Sequence, residues 1–447
     1  MSHKILIANR GEIALRALRA CRELGIKTVS VYSEVDKDLK HLKFSDETVC
    51  IGPAAPINSY LNIPSILSAA ELTEVDAIYP GYGFLAENPD FAHQCNESGF
   101  KFIGPESETI RKMGDKITAK NFVSTFDIPT VPGYSGELPN DEDEVKDIVQ
   151  SIGYPVILKA TAGGGGRGMR IVHSEESLLN MIEITMQEAA NSFGNDQIYI
   201  EKFIENPRHI EIQVVGDGKG NAIHLGTRDC SMQRRHQKII EEAPASNVDQ
   251  ESLHKILNSS VNLCKEINYE GVGTLEFLYE KNNFYFIEMN TRIQVEHPVS
   301  EMITGFDIVK AQLKIALDMP ITLDQKEIAV RGHAIECRIN AEDPETFVPS
   351  PGVISKMHPP GGFGVRFDSH IYSGYKVPPH YDSLLAKIIT TANTRESCIK
   401  RMLSALDEFF VEGISTNHSL HQKLLKDEIF CQNKHNINYL EESFIKK

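Results

Sequence analysis

Strand-like and helix-like patterns alternate along the first 110 or so residues, and this alternation constrains the fold more than any other feature. Short apolar runs at Ile5–Ala8, Thr28–Tyr32 and Ala77–Tyr79 have the length of buried strands. Apolar residues at helical spacing lie between them, for example over residues 11–24, where Gly25 marks the end. Such alternation predicts an α/β fold with a doubly wound parallel sheet. No GxGxxG motif follows the first strand, so the pattern does not favour a dinucleotide site there.

Length and composition indicate an ordinary globular protein of about three domains. The chain has 447 residues, 41% of them hydrophobic and 24% charged, which excludes collagen-like and wholly disordered classes. The stretch 128–134 contains two prolines and a glycine and is typical of a linker or hinge. The residues from there to about 203 look like a small separate unit. A larger mixed region follows to about 330, and then a strand-rich C-terminal part.

Charge and cysteine usage narrow the possible partners and compartments. The net charge of −16 argues against bulk binding to nucleic acid or to an anionic membrane. The eight cysteines show no CxxC or Cys/His ligand spacing, which leaves zinc, Fe–S and disulfide frameworks unsupported. Neither a signal-peptide pattern nor an apolar run of about 18 residues occurs. We therefore expect a cytoplasmic protein with reduced thiols and with no nucleic-acid or membrane partner.

A glycine-rich run lies between two predicted strands, 155–160 and 169–172. It contains four consecutive glycines: Gly163, Gly164, Gly165 and Gly166. Consecutive glycines let backbone N–H groups turn toward an anion without Cβ clashes. The Walker pattern is absent, and the run joins two strands, which contradicts a Rossmann loop. We predict a flexible hairpin flap over a triphosphate, with Lys159 entering from the preceding strand. The alternative is a mobile surface hairpin without a ligand.

An acidic hairpin is predicted in the second half of the chain. Strands 272–279 and 284–289 flank a turn, and a three-residue loop at 281–283 would place Glu276 and Glu288 directly opposite each other. Two carboxylates about 5 Å apart on one sheet face repel unless a cation lies between them. Oxygen ligands favour Mg²⁺. The alternative is the solvated face of an amphipathic strand.

Polar residues recur at every second position after this hairpin. In an extended segment, these four side chains would project in one row: Asn290, Arg292, Gln294 and Glu296. The row would present a metal ligand, a guanidinium, an amide and a carboxylate. The basic run 234–238 adds a candidate binder for phosphate or a small oxyanion, although charge runs are usually solvated surface.

Three weaker signals gain meaning only beside the stronger ones. Lys116, with Lys120 close behind it, is a candidate second phosphate cation. The segment 201–204 ends a predicted strand, where backbone groups could meet an adenine and the Glu201 carboxylate a ribose. His209 is ambiguous by itself, since a hydrogen-bonded structural histidine is the more common outcome.

Together these motifs resemble those of the biotin carboxylase family, within the ATP-grasp superfamily. The matching segments follow one another along nearly the whole chain: Ala8–Ala14, Tyr79–Leu85, Met113–Lys116, Gly163–Met169, Arg228–Lys238, Glu288–His297 and Gly332–Glu342. Ala162 stands where many relatives have another glycine, and we expect little effect from it.

The resemblance implies an α+β ATP-grasp fold in three parts. These are an N-terminal Rossmann-like domain over 1–114, an ATP-grasp domain over 115–330 and a C-terminal mixed-sheet domain over 331–447. A mobile lid is expected at about 131–203, which agrees with the hinge inferred from the prolines.

The resemblance also implies an activity. Family members in this position carboxylate biotin on a biotin carboxyl carrier protein, using ATP and bicarbonate, via carboxyphosphate. This is the first half-reaction of acetyl-CoA carboxylase, which feeds malonyl-CoA and fatty acid synthesis. The implied metal is Mg²⁺ or Mn²⁺, and the implied partners are the carrier, the carboxyltransferase subunits and a second copy of the chain. No Ala-Met-Lys-Met biotinylation signal occurs, so the carrier is expected to be another polypeptide or free biotin.

Site residues are carried over onto the matching positions. The implied catalytic residues are Arg292, Glu296, Arg338 and Lys238. The implied ATP contacts are Lys116, Lys159, Gly163, Gly164, Gly165, Gly166, Met169, Glu201, Lys202, Phe203, Ile204, His209, Gln233, His236, Glu276, Leu278 and Glu288. The implied bicarbonate contacts are Lys238, Arg292, Gln294, Val295 and Glu296. The implied biotin contacts are Tyr82 and Arg338, and the implied metal ligands are Glu276, Glu288 and Asn290.

Two other hypotheses remain open. One is a different ATP-grasp ligase, such as a carbamoyl-phosphate or purine-type carboxylating enzyme, although the chain lacks the duplicated unit of carbamoyl-phosphate synthetases. The other is a non-catalytic ATP-binding protein that kept the fold. Loss of a metal glutamate, of Arg292 or of Arg338 would favour the latter, and all of them are present.

Overall fold

The computed structural model describes residues 3–134, 136, 138–139, 141–161 and 168–445. The four glycines of the predicted flap, Gly163, Gly164, Gly165 and Gly166, lie outside the described residues. The flap therefore stays a prediction. No helix within the described ranges has an apolar stretch long enough to cross a membrane.

The N-terminal segment forms a parallel sheet, as the alternating pattern predicts. Its strands are β1 (Lys4–Ile7), β2 (Lys27–Tyr32), β3 (Glu47–Cys50), β4 (Ala77–Tyr79) and β5 (Lys101–Phe102). All neighbours are parallel, in the order β3-β2-β1-β4-β5. The side chains of Ile5, Leu6 and Ile7 in the central strand are fully buried, which is typical of a parallel strand covered on both faces.

Helices cover this sheet, and two of the four begin at a side-chain N-cap. They are α1 (Gly11–Glu23), α2 (Ile63–Leu72), α3 (Pro89–Glu97) and α4 (Ser107–Gly114). Asn62 caps α2 by accepting a hydrogen bond from the Ser65 N–H. Asn88 caps α3 in the same way, through the N–H of Phe91.

The spacing of Ile110, Met113, Ile117 and Ala119 predicts a single helix near 106–124. This prediction is wrong, because the chain breaks the helix at Asp115. That residue is extended, and α5 (Lys116–Ser124) begins after it. The Asp115 carboxylate accepts a hydrogen bond of 2.7 Å from the N–H of Thr118. A new N-cap therefore starts a second helix and places Lys116 at its first residue.

The predicted lid segment has a small sheet and core of its own. Its elements are β6 (Gly133–Tyr134), α6 (Glu142–Ile152), β7 (Val156–Ala160), β8 (Met169–Val172), α7 (Glu175–Phe193) and β9 (Ile198–Lys202). The strands are antiparallel in the order β6-β9-β7-β8. Val149, Leu158 and Ile200 form the centre of its core. The predicted linker is anchored to it, since the Lys202 N–H donates to the Pro132 carbonyl at 2.8 Å.

The rest of the chain builds one large sheet and several short pairings. The strands are β10 (Arg208–Asp217), β11 (Ala222–Arg234), β12 (Gln237–Ala243), β13 (Glu270–Glu280), β14 (Asn283–Asn290), β15 (His333–Asn340), β16 (Gly352–Val353), β17 (Lys356–His358), β18 (Val365–Ser369), β19 (Lys376–Val377), β20 (Leu384–Ala392) and β21 (Phe410–Glu412). The helices are α8 (Gln250–Glu266), α9 (His297–Thr304), α10 (Ile308–Ala316), α11 (Arg395–Glu408), α12 (His418–Leu424) and α13 (Glu428–Cys431).

The large sheet has eight strands in the order β14-β13-β10-β11-β12-β15-β20-β18. Strand β12 pairs with β15, so the C-terminal strands extend the sheet that begins in the central segment. The C-terminal part was expected to hold a mixed sheet, but each strand pairing described there is antiparallel. This continuous sheet places residues of the central and C-terminal segments side by side on one face.

The acidic hairpin forms with the predicted pairing but not through the predicted loop. Glu276 lies opposite Glu288. The turn is only two residues long, Lys281-Asn282, and both have positive φ, at 49° and 66°, as a tight hairpin turn requires. A bulge at Ile287 shifts the register by one residue and restores the Glu276–Glu288 pair.

The segment after this hairpin is not extended as predicted. Strand β14 ends at Asn290, residues 291–296 are irregular, and α9 begins at His297. The prediction of one row along a strand is therefore wrong. The side chains of Asn290, Arg292, Gln294 and Glu296 nevertheless reach the same cavity.

Candidate active site

A cavity of about 520 Å³ lies between the lid, α5 and the large sheet. Among the described residues that were predicted for the site, all except Tyr82 line it. Those on α5 and the lid are Lys116, Lys159, Met169, Glu201, Lys202, Phe203 and Ile204. Those on the large sheet and its loops are His209, Gln233, His236, Lys238, Glu276, Leu278, Glu288, Asn290, Arg292, Gln294, Val295, Glu296 and Arg338.

The wall of the cavity that the large sheet and its loops form is called the floor here, and Lys238 lies at its centre. Its Nζ is 3.0 Å from Glu276 Oε1 and 2.7 Å from Glu296 Oε1, and it also pairs with Glu211. Burial opposes the charge of this ammonium, but the three carboxylates outweigh burial and raise the pKa of Lys238 well above its usual range. The lysine is therefore charged and held from three sides.

Arg228 supports this floor from below and is fully buried. Its Nε donates to Glu211 Oε2 at 2.9 Å, and its guanidinium also contacts Gln213, Thr274 and Gln294. Burying a guanidinium is costly unless it is paired and its N–H groups are bonded. The contacts with Arg228 therefore fix the positions of Glu211 and Gln294.

Glu296 connects Lys238 to Arg338. The Nη2 of Arg338 donates to Glu296 Oε2 at 3.0 Å, and its Nε donates to Glu241 Oε1 at 2.5 Å. Burial opposes ionisation of Glu296, yet Lys238 and Arg338 prevail and lower its pKa. For Glu241 burial prevails, with a further contribution from Glu296, and the pKa is raised to about 7.

Arg292 is oriented by a residue from the N-terminal segment. Its Nε donates to Glu87 Oε2 at 2.7 Å, and its Nη2 donates to Asn290 Oδ1 at 2.8 Å. The Thr291 N–H donates to the other Glu87 oxygen at 3.1 Å. Glu87 thus fixes both the arginine and the loop that carries it.

Glu276 and Glu288 fit a divalent cation. Burial, followed by the charge of Glu276, raises the pKa of Glu288. Among the described residues, the nearest ion pair of Glu288 is long, with Lys116 Nζ at 4.0 Å. Two opposed carboxylates, of which Glu288 is only weakly compensated there, form a donor set that Mg²⁺ or Mn²⁺ accepts. The Asn290 Oδ1 could contribute a further oxygen.

His209 and Glu211 create a second cluster of ligand atoms that does not need a metal. His209, Glu211 and Glu276 have ligand atoms within 4.8 Å of one another. The Lys238 ammonium already contacts both carboxylates. Burial opposes the charge of the His209 imidazolium, but Glu276, whose Oε2 lies 2.9 Å from Nε2, raises its pKa. Protein cations therefore compensate this cluster.

The lid side of the cavity carries a lysine pair on one carboxylate. Glu201 is buried, and its Oε2 accepts a hydrogen bond of 2.7 Å from Lys159 Nζ, while Lys120 pairs with Oε1. Burial opposes ionisation of Glu201, but Lys159 and Lys120 lower its pKa. The carboxylate that was predicted to meet a ribose is thus held by two ammonium groups.

The basic run 234–238 is a tight turn rather than a continuous charged face. Arg235 and His236 have positive φ, at 47° and 64°, between the paired Arg234 and Gln237. This turn points His236 into the cavity, whereas the guanidinium of Arg234 stacks on the Phe347 ring at 3.7 Å. Within the run, His236, Gln237 and Lys238 line the cavity, and His236 and Lys238 are the two that were predicted for the site.

Tyr82 lies outside the cavity lining, and its hydroxyl donates to Glu12 Oε1 at 2.6 Å. Three partners on the cavity floor were missed by the sequence analysis: Glu87, Glu211 and Glu241. Glu211 had a usable signal, because polar residues alternate along a buried strand at His209, Glu211 and Gln213. Glu87 had none, since it is brought to Arg292 from 205 positions away.

Comparison with known proteins identifies the family. Family models match three consecutive segments: the biotin carboxylase N-terminal domain at residues 1–110, the carbamoyl-phosphate synthase L chain ATP-binding domain at 115–325, and the biotin carboxylase C-terminal domain at 336–442. The biotin carboxylase of Haemophilus influenzae is 59% identical over 442 residues, covering 99% of this chain and 99% of that protein. The chain belongs to the biotin carboxylase family. It is accordingly a ligase of the ATP-grasp type.

Solved structures of the biotin carboxylase family share its fold. A biotin carboxylase–β,γ-ATP complex from Campylobacter jejuni superposes with a TM-score of 0.93 at 50% identity, covering 98% of each chain. The biotin carboxylase domain dimer of the Hydrogenobacter thermophilus 2-oxoglutarate carboxylase, in complex with MgADP, ADP and bicarbonate, has a TM-score of 0.92 at 49% identity. It covers 99% of this chain and 98% of that one. The predicted α/β ATP-grasp fold class is confirmed.

Proposed function

We propose that this chain carboxylates biotin on a separate carrier protein, using ATP and bicarbonate, in the first half-reaction of acetyl-CoA carboxylase. One observation carries the proposal: the Glu276–Glu288 pair and the Lys238–Glu296–Arg338 row line the same cavity. The first is suited to a metal–triphosphate complex and the second to a small anion and its proton acceptor. Their adjacency places a phosphoryl donor beside an oxyanion acceptor.

ATP would bind between the lid and the sheet. Lys116, Lys159 and His236 surround the space for the phosphates, and the predicted glycine flap would close over them. The base would lie near the segment 202–204 at the lid edge. Glu276, Glu288 and Asn290 would hold Mg²⁺, which neutralises phosphate charge when bound. Phosphoryl transfer depends mainly on such positioning and charge neutralisation.

Bicarbonate would bind on the floor, between Arg292 and Lys238, with Gln294 and the Val295 backbone N–H as further donors. Glu296 is ionised and accepts the bicarbonate proton as an oxygen of the anion attacks the γ-phosphorus. The bond from that phosphorus to ADP breaks, which gives carboxyphosphate and ADP. A bound anion shares the charge of Lys238 and therefore raises the basicity of Glu296.

Carboxyl transfer would follow in the same closed cavity. Carboxyphosphate breaks into CO₂ and phosphate, and the phosphate removes the ureido N–H proton of biotin. Arg338 stabilises the resulting enolate-like oxygen while the nitrogen attacks CO₂. Exclusion of water prevents hydrolysis of the intermediate. Tyr82 would lie at the border of the biotin pocket.

The assembly and organisation of the protein are part of this proposal. The implied partners are a biotin carboxyl carrier protein and the carboxyltransferase subunits of acetyl-CoA carboxylase, and the implied state is a homodimer in the cytoplasm. The domain boundaries at 114/115 and 330/331, with a lid at about 131–203, are proposed as well. A relative that is a 2-oxoglutarate carboxylase domain illustrates that the final acceptor varies within the family.

The test is ATP cleavage by the purified chain, measured as ADP release with and without bicarbonate and free biotin. We expect cleavage to require bicarbonate and to rise with biotin, with carboxybiotin as a product. Glu296→Gln should lower bicarbonate-dependent cleavage about 10²- to 10³-fold. Glu251→Gln, at an exposed ion pair on α8, is the matched control and should leave it unchanged. Cleavage indifferent to both bicarbonate and biotin would refute the assignment.

A further inference from the structure

Lys387 on β20 is a completely buried lysine outside the predicted machinery. Its side chain has 0% exposure. It lies directly opposite Arg338 in the β15–β20 pairing, and therefore on the same sheet face. A buried ammonium persists only where charges and acceptors compensate it. The partners of Lys387 thus indicate what it holds in place.

The partners of Lys387 come from three segments of the chain. Its Nζ donates to the carbonyl oxygen of Val295 at 2.6 Å and pairs with Glu12 Oε1 at 3.0 Å. The same Glu12 oxygen accepts the 2.6 Å hydrogen bond from the hydroxyl of Tyr82. Glu12 and Tyr82 fall in the segment 1–110, Val295 in 115–325 and Lys387 in 336–442. One ammonium therefore joins the three segments.

The Val295 carbonyl belongs to the peptide unit that leads into Glu296. Residues 291–296 have no regular secondary structure, so fixed contacts of this kind determine where the Glu296 side chain points. Glu12, the other partner of Lys387, restrains the phenol of Tyr82. Burial, with the charge of Glu12 adding to it, raises the pKa of Tyr82 well above its ordinary value, so the phenol stays a donor.

The other charged groups around Lys387 do not replace these contacts. Glu336, Asp368 and Arg366 influence the ammonium electrostatically. The Arg366 guanidinium is engaged with Asp368 and Glu301. Both carboxyl oxygens of Glu336 are buried without a hydrogen-bond partner in the part of the chain that is described. The direct contacts of the Lys387 ammonium are thus a hydrogen bond to the Val295 carbonyl and an ion pair with Glu12.

We propose that Lys387 and Glu12 are positioning residues that hold the Val295–Glu296 peptide and the Tyr82 ring in one fixed relation. This inference rests on the proposed function and deepens it. The pair would align the proton acceptor for bicarbonate with the biotin pocket, so that CO₂ released on one side meets the ureido nitrogen on the other. Neither residue would touch substrate or transfer a proton.

The readout is the ratio of carboxybiotin formed to ADP released, together with KM for ATP and for bicarbonate. Lys387→Met should lower that ratio about 10- to 100-fold and raise the bicarbonate KM, because displacements near 1 Å have effects of this size. The ATP KM should stay within about twofold, because Lys387 is absent from the cavity lining. Lys101→Met removes another ion pair between the first two segments, Lys101–Glu270 at 2.7 Å, and should leave the ratio unchanged.

Two further variants keep the test decisive if Lys387→Met does not fold. Lys387→Met/Glu12→Gln removes both buried charges together. Tyr82→Phe removes only the hydroxyl that reaches Glu12. The effects of Tyr82→Phe and Glu12→Gln on the product ratio should not multiply when the two changes are combined, because both act on the same Tyr82–Glu12 contact.

Three results would overturn the inference. One is a folded Lys387 variant with an unchanged product ratio and bicarbonate KM. Another is a change in all three quantities together, with the ATP KM raised as much as the bicarbonate KM, since that would be a purely structural effect. If no Lys387 variant folds, an unchanged ratio in Tyr82→Phe overturns it. Failure of the unaltered chain to need bicarbonate and biotin would instead contradict the proposed function.

Discussion

Two lysines on opposite sides of the cavity, the buried Lys120 and the half-buried Lys238, have opposite electrostatic environments. On the lid side, burial lowers the pKa of Lys120 even though Glu201 opposes that shift. On the floor, three carboxylates outweigh burial and raise the pKa of Lys238. Among the described residues of the lid side, Lys120 and Lys159 share the single carboxylate of Glu201.

This difference indicates what each side is built to receive. The lid side has positive charge that its own carboxylate does not fully compensate, which suits a polyanion such as a triphosphate. The charges around Lys238 are compensated within the protein, so they are fixed before a ligand arrives. Such preorganisation suits a small anion whose reacting atoms must be aligned. Changes on the floor should therefore affect chemistry, and changes on the lid side should affect ATP binding.

The largest expected effect is on the floor, at Arg338. Arg338→Ala should lower carboxybiotin formation about 10²- to 10³-fold, because it removes the group that would stabilise the enolate-like oxygen. ATP affinity, measured by equilibrium binding, should stay within about twofold. Arg111→Ala, on an exposed ion pair with Asp90, is the control. Normal product yield would remove Arg338 from the mechanism, and a parallel loss of ATP binding would contradict the division between floor and lid.

A smaller effect is expected on the lid side, at Lys159. Lys159→Met should raise the KM for ATP about 10-fold or more, as expected for the loss of a hydrogen bond to a charged group. The ratio of carboxybiotin to ADP should be unchanged, because the floor is intact. Lys146→Met, at a half-buried lid residue that pairs with the exposed Asp143, is the control. A changed product ratio with an unchanged ATP KM would reverse the comparison.

Two neighbouring glutamates of β12, Glu241 beside Arg338 and Glu242 on the opposite sheet face, should give pH effects of opposite sign. Burial raises the pKa of Glu241 to about 7 from an ordinary 4.5. The folded state then binds this proton more tightly, so its stabilising contribution is full below pH 4.5 and is lost as the pH rises through 7. Glu241→Gln should remove this decline, which is at most about 3 kcal/mol in the free energy of unfolding.

Glu242 provides the matched contrast. Burial opposes its ionisation, but His333 and Arg395 lower its pKa to about 2. Its contribution is therefore present above pH 4.5 and is lost as the pH falls toward 2. Urea unfolding from about pH 2 to 8 measures both variants, because the window for Glu242 lies below pH 4.5 and that for Glu241 above it. Parallel pH profiles for Glu241→Gln and Glu242→Gln would show that their environments do not differ as described.

Local patterns were enough to predict the parallel sheet and the acidic hairpin, whereas most of the residues that line the cavity were carried over from the family resemblance. Strand–helix alternation predicted the parallel sheet, and the hairpin pattern paired Glu276 with Glu288 correctly. The two-residue turn and the bulge at Ile287 were not predictable. The shorter turn shifts the register by one residue and the bulge shifts it back, so the same glutamate pair results. The cap at Asp115 was local as well, yet helical periodicity on both sides of it concealed the break.

The missed residues share a physical reason. Glu87 reaches Arg292 and Glu12 reaches Lys387 only because segments far apart in sequence pack together. Periodicity within one segment carries no information about such pairs. Glu241 belongs to this group too, since its role depends on Arg338, 97 positions away. Sequence motifs therefore predicted residues that would face ligands better than the residues that hold them in place.

The smallest expected effect concerns the stability of the lid itself. The Asp141 carboxylate caps α6 by accepting hydrogen bonds from the N–H groups of Asp143 and Glu144, at 2.9 and 3.1 Å. Asp141→Ala should cost about 1 kcal/mol locally. Amide hydrogen exchange in α6 should then be about fivefold faster, whereas exchange in the large sheet should not change, because the lid has its own core.

Asp249→Ala, at the cap of α8, is the control and should leave α6 unaffected. Faster exchange in β13 and β14 after Asp141→Ala would mean that lid and floor unfold together, and the contrast between them would then be one of charge alone.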